Sequence, residues 1–146
     1  MSVHEKILVL LLRFAGIVML LAFFAVFLPV DWMAAGHRML GLGEYPASAL
    51  VDYLNRSVAA LYALLGGLRL LIAEDVRRYR PIVAYVAVTD VVFGFLMLGI
   101  DLHAGMPLVW TLAEGPPVVA VGAVMLWLLR SVPSGSGNGR REETGR

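Results

Sequence analysis

The sequence predicts an all-α fold, a four-helix transmembrane bundle with both termini in the cytoplasm. Hydrophobic residues make up 60% of the 146 residues, against the roughly 45–50% usual in soluble domains. They are collected in four long runs, and each run supplies about the 20 helical residues that cross a bilayer core of roughly 30 Å. Polar segments rich in glycine, proline and charge separate these runs, as expected where a chain turns at a membrane surface.

The limits of the four runs define the predicted spans. The transmembrane domain is predicted to cover residues 1–131, with spans at about 7–28, 50–73, 82–100 and 107–130. Arg13 interrupts the first run near its start, where its side chain can extend to the lipid head groups. A cleaved signal peptide is the rival interpretation of this run. Because Met33-Ala34-Ala35 is a poor cleavage site and the apolar stretch is long for a signal, we expect a span instead.

The segments outside the spans carry their own signals. Residues 33–42, in the connector after the first span, are a candidate interfacial helix despite their glycines. Pro116 and Pro117 remove two backbone donors from the fourth run, so we expect the fourth helix to be kinked or broken near Gly115. Residues 132–146 are rich in proline, serine, glycine and charge, which predicts a disordered cytoplasmic tail.

The orientation follows from the basic residues. The turn between the second and third spans contains Arg77, Arg78 and Arg80, whereas the opposite side offers only Arg38 outside the spans. Loops rich in arginine and lysine stay in the cytoplasm, which places both termini there. The preference for arginine over lysine is typical of a GC-rich bacterial genome.

Composition excludes several functions. The chain has no cysteine, which rules out disulfides, thiolate metal sites and iron–sulfur clusters. A net charge of +1 argues against nucleic acid as a partner. His37 and His103 lack a third ligand for a metal, and no motif for phosphate binding or hydrolysis occurs. We therefore predict no cofactor and no metal. The expected partners are membrane lipids, with a homo-oligomer or a larger membrane complex left open.

The second run provides the polar residues around which a site is predicted. Asp52 and Arg56 are four residues apart and share a helix face, and small residues from Ala59 to Gly67 suit helix packing. Charges inside a membrane are usually paired or line a cavity. We predict an outward-facing polar pocket for a lipid, quinone or similar amphiphile, formed by Asp52, Asn55, Arg56, Asp90, Asp101, His103 and Glu114. The alternative is that these groups only neutralise one another and fix the packing of the bundle.

Two segments carry a resemblance to a known group of proteins. They are Asp75-Val76-Arg77-Arg78-Tyr79-Arg80-Pro81, and Gly105-Met106-Pro107 followed by Trp110-Thr111-Leu112 and Glu114-Gly115-Pro116. In these, and in its four apolar runs, the chain resembles small bacterial membrane proteins of the DoxX-like and BphX-like kind. The resemblance implies a compact helical bundle in a bacterial inner membrane, and some DoxX relatives are implicated as subunits of quinone-linked oxidoreductases. It supplies no catalytic residue.

Three functions remain open from the sequence. The first is an accessory or binding protein that uses the predicted pocket. The second is a subunit of a membrane redox enzyme, which the resemblance implies. The third is an oligomeric proton-coupled carrier in which Asp90 holds the proton, as acidic residues do in transporters.

Overall fold

Five helices make up the part of the chain that the structure, a computed structural model, describes, residues 2–132. They are α1 (Val3–Ala25), α2 (Val30–Met39), α3 (Ala49–Ile72), α4 (Arg80–Ala104) and α5 (Leu108–Leu129). The predicted four-helix bundle is therefore wrong in its helix number, because the connector after α1 forms a helix of its own. The predicted disordered tail, residues 132–146, lies outside the described residues except for Val132, which is buried in the apolar core.

Three of the helices, α1, α4 and α5, are long and apolar enough to cross a membrane. They indicate a membrane protein, but the prediction of four spans is wrong. Of the four predicted spans, the one that does not qualify is α3, which has 24 residues. The physical reason is its polar content, because Asp52, Arg56 and Arg69 interrupt its apolar sequence and lower its hydropathy.

The helix ends follow local sequence signals. Ser2 caps α1 by accepting a hydrogen bond from the Glu5 backbone, while the Glu5 carboxylate accepts one from the Ser2 backbone, which is a complete capping box. The backbone of Gly105 has a φ of 68°, the left-handed conformation that ends α4. α5 continues through Pro116 and Pro117, so a break at these residues is wrong, while a kink within the continuous helix stays a prediction.

The long helices pack as two antiparallel pairs, α1 with α3 and α4 with α5, and α1 also contacts α5. Glycine permits the closest approach in each pair. A Cβ atom at Gly66 would lie 2.6 Å from the backbone oxygen of Gly16, and one at Gly115 would lie 2.8 Å from that of Gly94. The second contact presses the start of the proline segment of α5 against α4, which supports α5 where its internal hydrogen bonds are missing.

An apolar core lies at one end of the molecule. Its buried members come from α1, α4, α5 and the segment that ends α3, and they are Leu8, Leu12, Ile72, Ala73, Val76, Val83, Val86, Ala87, Met125, Leu128, Leu129 and Val132. This end, formed by residues 2–12, 69–87 and 125–132, is called the arginine-rich end. The opposite end, formed by α2 and its flanking segments, is called the α2 end.

Candidate functional site

The ion pair of Asp52 and Arg56 lies at the α2 end. The Arg56 Nε donates to both carboxylate oxygens of Asp52 at 3.0 Å, as the four-residue spacing allows. The same guanidinium donates to the backbone oxygens of Val26 and of Leu28, the latter at 3.1 Å. Carbonyls just beyond the end of a helix have no partner within it. Arg56 therefore connects the first turns of α3 to the end of α1.

A second set of polar contacts lies beside this pair. The Asn55 side chain donates to the Tyr45 hydroxyl at 2.8 Å, and the Tyr45 ring meets the His37 ring edge-on with centroids 5.6 Å apart. A cleft of about 220 Å³ opens here. Its lining residues are Val30, Tyr45, Ala47, Ser48, Ala49 and Asp52. Tyr45 and Asp52 thus line a cleft beside the first turn of α3.

Asp90 lies in a different place and is not part of this cluster. Arg69 of α3 donates to both carboxylate oxygens of Asp90 in α4, with one of the two distances at 3.0 Å. The side chains are only 11% and 9% exposed. Arg69 and Arg56 are 13 residues apart on α3, which corresponds to about 20 Å along the helix. The Asp90 pair therefore belongs to the region next to the arginine-rich end.

The remaining predicted site residues lie in the α4–α5 hairpin. Asp101 is 3% exposed, and its Oδ2 atom has no hydrogen-bond partner among the described residues. The contacts of Gly94 and Leu98 with Gly115 set the register of the hairpin, and this register puts buried Thr111 opposite Asp101. Glu114 is half-buried and His103 is exposed.

The structure therefore does not bring the predicted site residues into one pocket. Asp52, Asn55 and Arg56 form one cluster, Asp90 pairs with Arg69, and the α4–α5 hairpin carries the other three. Arg56 is satisfied within its own helix and by carbonyls that follow α1, so Glu114 is not its partner.

Two functional groups were not recognised from the sequence. Arg69 is the first of them. Its position ten residues after Ala59 and three after Gly66, both buried, puts it on the packed face of α3, and this spacing could have identified it. Tyr45 is the second, and no sequence signal joins it to Asn55.

Arg77 forms a further ion pair at the arginine-rich end. Its guanidinium donates two hydrogen bonds of 2.8 Å to the buried Glu5 carboxylate, and this interaction raises the pKa of Arg77 above its ordinary value. Glu5 thus joins the start of α1 to the turn between α3 and α4. Within residues 2–132, no group of three histidine, cysteine, aspartate or glutamate side chains is placed to hold a metal ion.

Comparison of the chain with protein-family models, with curated proteins and with solved structures gives no match. The resemblance to DoxX-like proteins therefore stays a prediction.

Proposed function

We propose that the chain is an accessory or binding protein of a bacterial inner membrane that holds the head group of an amphiphile at the α2 end. The amphiphile is a lipid, a quinone or a similar molecule. The observation that carries the proposal is the cleft beside Asp52, in which the Tyr45 hydroxyl is available as a donor. Because Asn55 donates to Tyr45, the proton of the phenol remains free for an acceptor on a ligand.

The size of the cleft supports a head group rather than a whole ligand. Its volume of about 220 Å³ is below the roughly 300–1,000 Å³ of pockets that enclose a drug-sized molecule. The apolar part of an amphiphile would lie outside it. α1 offers an exposed apolar groove lined by Ile17, Leu20, Leu21, Phe23 and Phe24.

The two alternative functions receive less support. A proton on Asp90 would compete with the two hydrogen bonds from Arg69, which weakens the argument for Asp90 as the acidic group of a carrier. A redox role depends on the resemblance to DoxX-like proteins, and no contact of the described residues adds to it.

Replacing Tyr45 by phenylalanine is expected to reduce retention of the amphiphile about two- to tenfold, because one hydrogen bond contributes roughly 0.5–1.5 kcal/mol. The measurement is native mass spectrometry of protein extracted in mild detergent, which also reports the mass of the bound molecule. Tyr53→Phe is the matched control, since Tyr53 is 66% exposed and does not line the cleft. Equal retention in wild type and in Tyr45→Phe, or no bound molecule at all, would contradict the proposal.

The proposed orientation puts the arginine-rich end in the cytoplasm. The chain has no cysteine, so single cysteines at Lys6 and Glu44, near opposite ends of the molecule, report their sides without background. In intact spheroplasts, a membrane-impermeant maleimide is expected to label Glu44→Cys and to label Lys6→Cys only after lysis. The reverse pattern would overturn the orientation.

A further inference from the structure

The arginines of the described residues divide into two groups. Arg13, Arg38, Arg56, Arg69 and Arg77 each form an ion pair with an acidic side chain. Arg78, Arg80 and Arg130 have no acidic partner within residues 2–132. All three lie at the arginine-rich end: Arg80 begins α4, Arg130 follows α5 and Arg78 lies in the turn before α4.

Arg80 is the most enclosed of the three. It is the first residue of α4, and its guanidinium donates to the Leu129 backbone oxygen at 3.3 Å. This contact places the Arg80 side chain at the end of α5. Arg130 is the next residue after Leu129. The Arg80 Nε atom is buried and has no acceptor among the described residues. An enclosed donor on a guanidinium without a counter-ion is unfavourable unless another group supplies the missing acceptor, and an anion would also supply the counter-charge.

The position of these arginines indicates where an anion would come from. Arg80 begins one candidate membrane span and Arg130 immediately follows another, so both lie at the level where a bilayer carries its phosphates. Guanidinium groups match phosphate oxygens with pairs of parallel hydrogen bonds. Exposed aromatic side chains lie within two turns of them, with Tyr85 69% and Trp127 58% exposed, as expected at a membrane interface.

We propose that Arg80 and Arg130, with Arg78 beside them, bind the phosphate group of an anionic phospholipid. The lipid phosphate accepts from Arg80 and the neighbouring guanidinium groups, and the acyl chains lie along the exposed faces of α4 and α5. This site is at the opposite end of the molecule from the proposed amphiphile cleft and is independent of it. A lipid phosphate and a soluble phosphate present the same oxygen acceptors to the arginines, so the test has to separate these two sources.

The test is native mass spectrometry of the full chain after exchange into equal amounts of phosphatidylglycerol and phosphatidylcholine with matched acyl chains. Wild type is expected to retain phosphatidylglycerol preferentially. Arg80→Gln and Arg130→Gln are each expected to lower this preference about fivefold, which corresponds to about 1 kcal/mol per arginine near an anionic surface. The control is Arg38→Gln, which removes an exposed arginine at the α2 end and is expected to leave the preference unchanged.

Folding of the variants is checked by thermal denaturation. If Arg80→Gln does not fold, the exposed residues Arg78 and Arg130, replaced together by glutamine, test the same site without disturbing the contact with Leu129. The proposal is overturned if wild type shows no preference, or if Arg38→Gln lowers it as much as Arg130→Gln. It is also overturned if excess inorganic phosphate displaces the bound lipid, since the site would then be one for soluble phosphate.

Discussion

Replacing Asp90 by alanine is expected to lower the free energy of unfolding by about 3–5 kcal/mol, the range for removal of one partner of a buried ion pair. The Arg69 and Asp90 side chains are 11% and 9% exposed, so neither is well solvated. Loss of Asp90 would leave the Arg69 guanidinium buried without a counter-ion. The pair also connects α3 to α4, whose backbones make little direct contact.

An exposed pair supplies the matched control. The ion pair of Arg13 and Glu74 has side chains that are 50% and 68% exposed, and pairs of this kind contribute roughly 0–1 kcal/mol. Arg13→Ala is therefore expected to have little effect. The measurement is the unfolding free energy from titration with denaturing detergent, followed by circular dichroism. Equal effects of Asp90→Ala and Arg13→Ala would show that the buried pair is not important for stability.

A double replacement separates stability from function. Arg69→Met combined with Asp90→Leu removes both charges and leaves none unpaired, which is often neutral or stabilising. Recovery of stability in this variant would show that the pair serves the fold. A stable double variant that also retains its bound amphiphile would show that the Asp90 pair is separate from the cleft at the α2 end.

Much of the secondary structure was predictable from the sequence. The apolar runs, each about as long as a bilayer is thick, coincide with α1, α3, α4 and α5. The capping signal at Ser2 and the glycine at 105 mark helix ends by purely local chemistry. Local signals were insufficient at Pro116 and Pro117, because continuity of α5 depends on packing against α4.

The predicted number of spans depended on whether the apolar residues of α3 outweigh its charged residues, and the length of the run did not decide this. In α3, Asp52, Arg56 and Arg69 counteract the apolar residues, so length alone overestimated its suitability for a bilayer. Each of these charges is paired in the structure. The two pairs fit the alternative interpretation made from the sequence, in which charges neutralise one another and fix the packing.

The polar contacts were predictable only within one helix. Asp52 and Arg56 pair because residues four apart on a helix are neighbours. The pair of Arg69 and Asp90 depends on how α3 is rotated against α4, and no single-sequence pattern specifies that rotation. The same limit explains why Asp52, Asp90 and Glu114 were assigned to one pocket. The tendency of intramembrane charges to pair or line a cavity does not establish which of them face each other.

Replacing Gly66 by alanine is expected to destabilise the fold by about 3 kcal/mol, at the upper end of the usual effect of overpacking. A Cβ atom at this position would lie 2.6 Å from the Gly16 oxygen and 2.6 Å from the Leu20 nitrogen. Both are backbone atoms, which cannot move aside as a flexible side chain can. α1 and α3 would have to separate, and the contacts of Arg56 with Val26 and Leu28 would be strained as well.

The neighbouring glycine is the matched control. A Cβ atom at Gly67 would meet nothing within 4 Å, and alanine is favoured over glycine in a helix by about 1 kcal/mol. Gly67→Ala should therefore be neutral or slightly stabilising in the same detergent titration. If both variants have the same free energy of unfolding, close backbone packing at Gly66 does not stabilise the α1–α3 contact. A large decrease in the free energy of unfolding only in Gly66→Ala would show that close backbone packing holds α3, with its charged residues, against α1.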